Sequence, residues 1–207
     1  MTWHYILVIL AYGSLLFELA FLHVPSVASS ANLLAVREEY EDELREAKVR
    51  ELDWPIYLKA VTLALPILLI VCTFLYPISC IVGWVEVPTR SWSQAGTVTM
   101  IAVALIVIGR FVTLRSVLTI RQQNKQVENQ FSLHSEALYS RSRNPIQLGM
   151  YIFCFGLLLL FPSVIFMAGI VFYGLYMHYK ILIEERFLQV KFGTPYINYI
   201  NKTRRYF

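Results

Sequence analysis

The stretch from Ile146 to Ile183 carries one formal charge, Lys180, and is interrupted once, at Phe161-Pro162-Ser163. A helix crosses a bilayer with about 20 apolar residues. The run is therefore long enough for two spans joined by a tight hairpin, and too long for one core helix of a soluble domain. Comparable apolar blocks run from Trp3 to about Val24, from Pro55 to Trp84 and from Gln94 to Leu118. Charged residues make up 15% of the chain, where a soluble domain carries about a quarter. Because the apolar residues lie in blocks rather than periodic stripes, lipid is the solvent. The expected fold class is an all-α polytopic transmembrane bundle of about five spans. The first block is too long, and too poor in basic residues at its start, for a cleaved signal peptide.

Charge is unevenly placed. Eight of the fourteen acidic residues lie between Val36 and Lys59, and twelve basic against four acidic residues lie from Arg110 onward. Basic residues are frequent in the first loop (Arg37, Arg45, Lys48, Arg50), the third loop (Arg121, Lys125, Arg141, Arg143) and the tail, but sparse in the other two loops. That alternation predicts an outside N-terminus and a cytosolic C-terminus. Basic residues that flank apolar spans point to anionic membrane lipid and away from nucleic acid. The chain divides into residues 1–120, three spans with a charged connecting helix, and residues 121–207, a polar loop, a hairpin and a cytosolic tail. Together they form one integrated domain. Oligomeric state leaves no mark in the sequence.

The connecting segment Val36–Asp53 has Leu33, Val36, Tyr40, Leu44 and Ala47 at helical spacing, with Glu41–Arg45 and Glu46–Arg50 as i,i+4 pairs. It reads as a solvated surface helix. Pro66 and Pro77 fall inside the second span and predict a kink, covered by neighbouring helices. Trp54 and Trp84 suit interfacial anchors. Arg110 and Arg115, near the end of the third span, are expected to snorkel. Cys72, Cys80 and Cys154 lack metal-ligand or disulfide spacing and read as small buried hydrophobes. Glu18 and His23 lie within the first span, where an ionisable residue is either functional or structurally paired. His178 reads as a satisfied interface histidine, and Tyr173, Tyr176 and Tyr179 as packing residues.

The chemistry should lie where the polar third loop and the tail meet, because they join opposite ends of one hairpin. In Tyr139-Ser140-Arg141-Ser142-Arg143-Asn144-Pro145-Ile146-Gln147-Leu148-Gly149, Asn144-Pro145 is a helix start in which Asn144 can cap. The free N–H groups there can meet a polar ligand, and Gly149 admits a ligand or a helix closely. A plain capped membrane helix explains the segment equally well. In the second cluster, Glu184 and Glu185 sit about 100° apart on a helix. One can face the bundle and hold an ammonium group while the other turns toward water or Arg143.

The pattern R-N-P-x-x-x-G, an apolar hairpin, then E-E-x-x-L-x-x-x-F-G-x-x-Y-x-x-Y resembles the isoprenylcysteine carboxyl methyltransferases and the wider group that includes phospholipid methyltransferases. The likeness runs from about Arg121 to Tyr199. It implies S-adenosylmethionine as cofactor, bound by Asn144, Pro145 and Gln147 with Arg143 beside them, by Tyr139, and by backbone near Leu133 and His134 with Asn124 upstream. Glu184 would take the cofactor's amino-acid end. Lys180 stands where the family's arginine meets a substrate carboxylate, which makes Lys180, Glu184 and Arg143 the expected catalytic group.

The sequence departs from the family pattern at several positions. Asn144 replaces a histidine, Gln147 a tyrosine, Ala137 a glycine and Lys180 an arginine, and the tail lacks a proline-rich ending. The implied reaction is direct methyl transfer to a lipophilic or prenylated acceptor, foremost carboxyl O-methylation of an isoprenylcysteine-type substrate. A carboxylate needs no general base; an amine does, with His134 or Glu185 as bases. The alternatives are methylation of a phospholipid or other small lipophile, a related nicotinamide-dependent sterol or acyl reductase, and a non-catalytic membrane scaffold.

Overall fold

The computed structural model describes residues 3–21, 38–86, 96–126 and 137–206, without the side chains of residues 19, 38–40, 63, 123–126 and 137. These residues form helices α1 (Trp3–Phe21), α2 (Glu38–Glu46), α3 (Ile56–Val82), α4 (Gly96–Gln126), α5 (Pro145–Leu160), α6 (Val164–Phe192) and α7 (Thr194–Lys202), with single 3-10 turns at Arg50–Asp53 and Ala137–Ser140. The all-α membrane fold class holds. Among the described residues the only strand-like pairing is one parallel bridge, Ser142 to Arg204.

Helices α3, α4 and α6 are long and apolar enough to cross a membrane, while the apolar helices Trp3–Glu18 and Pro145–Leu160 are shorter. The 16 residues of α5 rise about 24 Å at 1.5 Å per residue, less than a full hydrocarbon core. Two helices overrun their expected ends. The third span continues past Leu118 to Gln126, and the last past Ile183 to Phe192. Glu184 and Glu185 therefore ride on a helical extension, while Arg141 and Arg143 stay in the short segment before α5.

Local sequence explains the breaks. Pro162 cannot continue α5, and Ser163 caps α6 by accepting from the Phe166 N–H at 3.4 Å. Helix α3 runs through both Pro66 and Pro77, and Pro77 is fully buried, so neighbouring protein covers the backbone gap. Apolar residues such as Leu65, Leu68 and Val71 point outward, a surface that is stable against hydrocarbon and not against water.

Packing fixes the direction of each helix. A Cβ on Gly109 would come 2.5 Å from the Phe153 nitrogen, one on Gly149 2.8 Å from the Gly109 carbonyl, and one on Gly156 2.8 Å from the Ala102 carbonyl. Glycine thus lets α4 and α5 touch backbone to backbone, antiparallel, as small residues do in membranes. Of the two uses expected for Gly149, close approach of a helix is the one realised. Tyr5 stacks on Phe161 and Tyr12 meets Phe153, which sets α1 antiparallel to α5. Phe74 with Tyr173 and Tyr76 with Phe166 set α3 antiparallel to α6. The ends of α1, α4 and α6 and the starts of α3 and α5 therefore share one face, and the three basic segments adjoin it.

Several expectations change. Arg110 does not snorkel. It is buried against α1, with Nη2 2.7 Å from Glu18 Oε2 and Nε donating to Ser14 Oγ at 3.1 Å. Burial favours pairing because an isolated charge in hydrocarbon is costly. Arg115, one turn further on, is exposed. Cys72 is exposed, whereas Cys80 and Cys154 are buried. The connecting segment is not simply solvated. Its helix ends at Glu46, so Arg50 falls in a separate turn and the Glu46–Arg50 helical pair is lost, while Arg45 keeps Glu41 at 2.9 Å and adds Asp53 at 2.8 Å. Leu44, Ala47, Val49 and Leu52 bury themselves against Ile183 and Phe187 of α6. His23, Leu133 and His134 lie outside the described residues, as does the side chain of Asn124.

Candidate active site

The loop before α5 and the tail after α6 meet, as connectivity requires. Gly193, at φ 56° and ψ −130°, takes a backbone conformation that suits only glycine and turns the chain from α6 into α7. Helix α7 then lays Tyr196 and Tyr199 against the loop. The Tyr199 hydroxyl donates to the Tyr139 carbonyl at 2.7 Å, with both residues buried. Beyond α7 the last residues cross the loop as a strap. The Arg143 N–H donates to the Arg204 carbonyl at 2.9 Å. The Arg205 carbonyl accepts from Ser142 Oγ at 3.2 Å and Asn144 Nδ2 at 3.3 Å. Asn144 occupies the N-cap position of α5, but its side chain makes no capping bond, because the amide is engaged by the strap. Pro145 follows at the first helical position, and the helix start keeps its N–H groups.

The charged groups lie on the extension of α6 and its neighbours. Glu185 is buried and accepts from Arg205 three times, at 3.0, 3.2 and 2.7 Å. Arg143 Nη1 is 3.3 Å from Glu185 Oε1, and both side chains are 10% exposed. That approach is not a hydrogen bond. Arg143 Nε and Nη1 are buried without a hydrogen-bond partner among the described residues, as is Gln147 Nε2. Gln147 Oε1 accepts from the buried Tyr173 hydroxyl at 3.2 Å, which gives that tyrosine a polar role beyond packing. Glu184 is half-buried and within electrostatic reach of both Glu185 and Tyr139. Lys180 is buried one turn earlier on α6, 5.5 Å from the Tyr176 ring centre and within electrostatic reach of Glu51.

Burial, and then the nearby carboxylates, push the Tyr139 and Tyr196 hydroxyls above the usual phenol range. Burial does the same to Tyr199, reaching about 12, with Arg143 opposing the shift. All three are neutral hydrogen-bonding groups at physiological pH. Hydrogen bonding to Glu185 holds Arg205 firmly cationic.

Three participants escaped the sequence reading. Arg205 and Tyr206 belong to a tail with no matched motif. Tyr206 sets its hydroxyl 2.8 Å from His178 Nδ1 and its ring 5.9 Å from that of Tyr151, which supplies the interface partner expected for His178. Glu51, in the turn after α2, is buried. The single formal charge in the apolar run Ile146 to Ile183, Lys180, calls for an acid from elsewhere in the chain, and that is the signal that could have flagged it.

These groups can meet a ligand that carries both a carboxylate and an ammonium group. Arg143 and Gln147 offer N–H groups without a hydrogen-bond partner among the described residues, which a carboxylate or other acceptor can meet, and Glu184 offers an acid for an ammonium group. Among the described residues there is no cluster of metal-ligating side chains.

No curated protein and no solved structure matches the chain. Residues 97–195 match the family model described as phospholipid methyltransferase, a stretch that opens at the start of α4 and closes on Pro195 in the first turn of α7. The match and the apolar helices agree. The chain is an integral membrane protein by its apolar helices, and over residues 97–195, a little under half of its length, it is similar to the phospholipid methyltransferases.

Proposed function

We propose that the chain is an S-adenosylmethionine-dependent methyltransferase for a lipophilic acceptor, with its site on the cytosolic side of the membrane. The observation that carries this reading is a set of groups at one end of α5 and α6: the buried donors of Arg143 and Gln147, which lack a hydrogen-bond partner among the described residues, and the acid of Glu184 on the extension of α6. A buried donor without a partner costs about 1–3 kcal/mol, so a ligand that completes it gains correspondingly. Arg143 and the start of α5 would hold the carboxylate of the cofactor's amino-acid end, and Glu184 its ammonium group. Gln147 Nε2 and Tyr139 would line the rest, with Asn144 and Pro145 shaping the helix start. Asn124, Leu133 and His134 complete the proposed set.

The bound cofactor supplies a methyl group activated on a sulfonium. The chain's own residues orient an acceptor in line with it and exclude water. For the acceptor, a carboxylate of the isoprenylcysteine type is the first reading. Lys180 would hold it, as a point charge without the planar fork of arginine. Glu185 supports this choice, since both its oxygens are engaged by Arg205 and it is poorly placed to deprotonate an amine. The match to phospholipid methyltransferases favours a second reading, an amine on a lipid headgroup. Either acceptor would enter sideways from the bilayer.

Transfer of labelled methyl from S-adenosylmethionine, in vesicles that hold either a prenylcysteine or phosphatidylethanolamine, separates the two. Label in neither, together with no calorimetric binding of S-adenosylhomocysteine, would defeat the proposal and leave a scaffold. Nicotinamide oxidation with a sterol or enoyl lipid would point to the reductase instead.

A further inference from the structure

The C-terminal strap engages the site twice. Its Arg205 carbonyl holds Ser142 and Asn144, on either side of Arg143. Its Arg205 guanidinium covers both oxygens of Glu185. Arg143 makes an ion pair with the same carboxylate, at 3.3 Å, but forms no hydrogen bond with it, and its Nε and Nη1 have no hydrogen-bond partner among the described residues. Two arginines thus face one buried acid, and Arg205 takes nearly all of its bonding capacity. A buried guanidinium left with open N–H groups is unfavourable unless an anion completes it.

We propose that Arg205 is a positioning residue: by saturating Glu185 it keeps that carboxylate from capturing Arg143, and so reserves the free edge of Arg143 for an acidic group on a bound ligand. This rests on the methyltransferase reading above and adds the tail, which lies beyond the family match, to the working site. The acidic group has two possible sources, the cofactor's amino-acid carboxylate or an acid on the acceptor. In either case removal of Arg205 lets Arg143 swing into a full pair with Glu185. Removal of the Glu185 charge as well frees Arg143 again.

The test uses the full chain in mild detergent, with Arg205→Ala, Arg205→Lys, Glu185→Gln and the double variant Arg205→Ala/Glu185→Gln, each checked by thermal melting. Calorimetry compares S-adenosylhomocysteine with its analogue lacking the amino-acid carboxylate, and KM is measured for an acidic lipid acceptor. Wild type should prefer the carboxylate form roughly tenfold or more, the worth of one charged hydrogen bond. Arg205→Ala should lose most of that preference, Arg205→Lys should lie between, and the double variant should recover it.

If the acid belongs to the acceptor, the cofactor preference stays level. The acceptor KM then rises in Arg205→Ala and falls back in the double variant, with kcat little changed. Arg205→Ala that alters neither quantity, or a double variant no better than the single one, overturns the inference while leaving the methyltransferase reading intact. A wild type that binds neither nucleoside overturns that reading and this inference together.

Discussion

Tyr199 donates its hydroxyl to the main-chain carbonyl of Tyr139 at 2.7 Å, across 60 residues of sequence. This bond ties α7 to the short turn that precedes α5, and so closes the two halves of the site on each other. Tyr199→Phe removes the donor of this buried hydrogen bond, at a cost of about 0.5–1.5 kcal/mol. The melting temperature in detergent should fall, and KM for the cofactor should rise more than kcat drops. An unchanged melting temperature would show that this bond does not hold the site together.

The acid proposed for the cofactor's ammonium group gives a separate test. Glu184→Gln keeps the shape and removes the charge. Affinity for S-adenosylhomocysteine should weaken roughly ten- to hundredfold, as expected for a charged hydrogen bond, with little effect on the melting temperature. Equal affinities in parent and variant would remove Glu184 from the cofactor site.

Within the membrane, Glu18 and Arg110 bind α1 to α4 at 2.7 Å. Glu18→Ala leaves the arginine buried and uncompensated, which should cost about 3–5 kcal/mol. Replacing both, as Glu18→Gln with Arg110→Met, should recover most of that loss, because the cost comes from the unpaired charge. Thermal melting of the parent and the two variants decides it. A double variant as unstable as the single one would mean that the pair itself, rather than its neutrality, is required.

Gly149 faces Thr113 and the Gly109 carbonyl so closely that a Cβ would sit 2.5 Å from Thr113 Oγ1 and 2.8 Å from that carbonyl. Overpacking of this kind costs about 1–3 kcal/mol. Gly149→Ala should lie at the upper end, because backbone cannot yield as a side chain does. The same change at Gly13, inside α1 where an added Cβ meets nothing within 4 Å, should instead raise stability slightly, by about 0.5–1 kcal/mol. Parallel melting curves for the two variants provide the comparison.

Much of the fold was legible because its causes are local. Pro162 and Ser163 mark the hairpin, and Pro145 marks the start of α5, through backbone chemistry that any neighbour would leave in place. Both site clusters were also legible, since one apolar hairpin must bring its two ends together. Arg205 was not legible, because its role depends on where α7 ends relative to Glu185. Glu51 was hidden among eight acidic residues that look alike in sequence, and only the docking of Leu44 and Leu52 on Phe187 selects it. Asn144 reads as a cap by residue type, yet a distant carbonyl takes its amide.

The sequence by itself determined that this chain is a helical membrane protein with a methyltransferase-like C-terminal half. Apolar run length and the spacing of short motifs are properties of contiguous residues, and they hold before anything packs. Tertiary structure decided which partner each buried charge takes: Arg110 with Glu18, Glu185 with Arg205, and Arg143 in a looser ion pair with the same Glu185. In a low-dielectric interior an ionic group must find a counter-charge or a ligand. Which one it finds depends on helix register and direction, set by contacts such as Gly109 on Gly149 that no single segment contains.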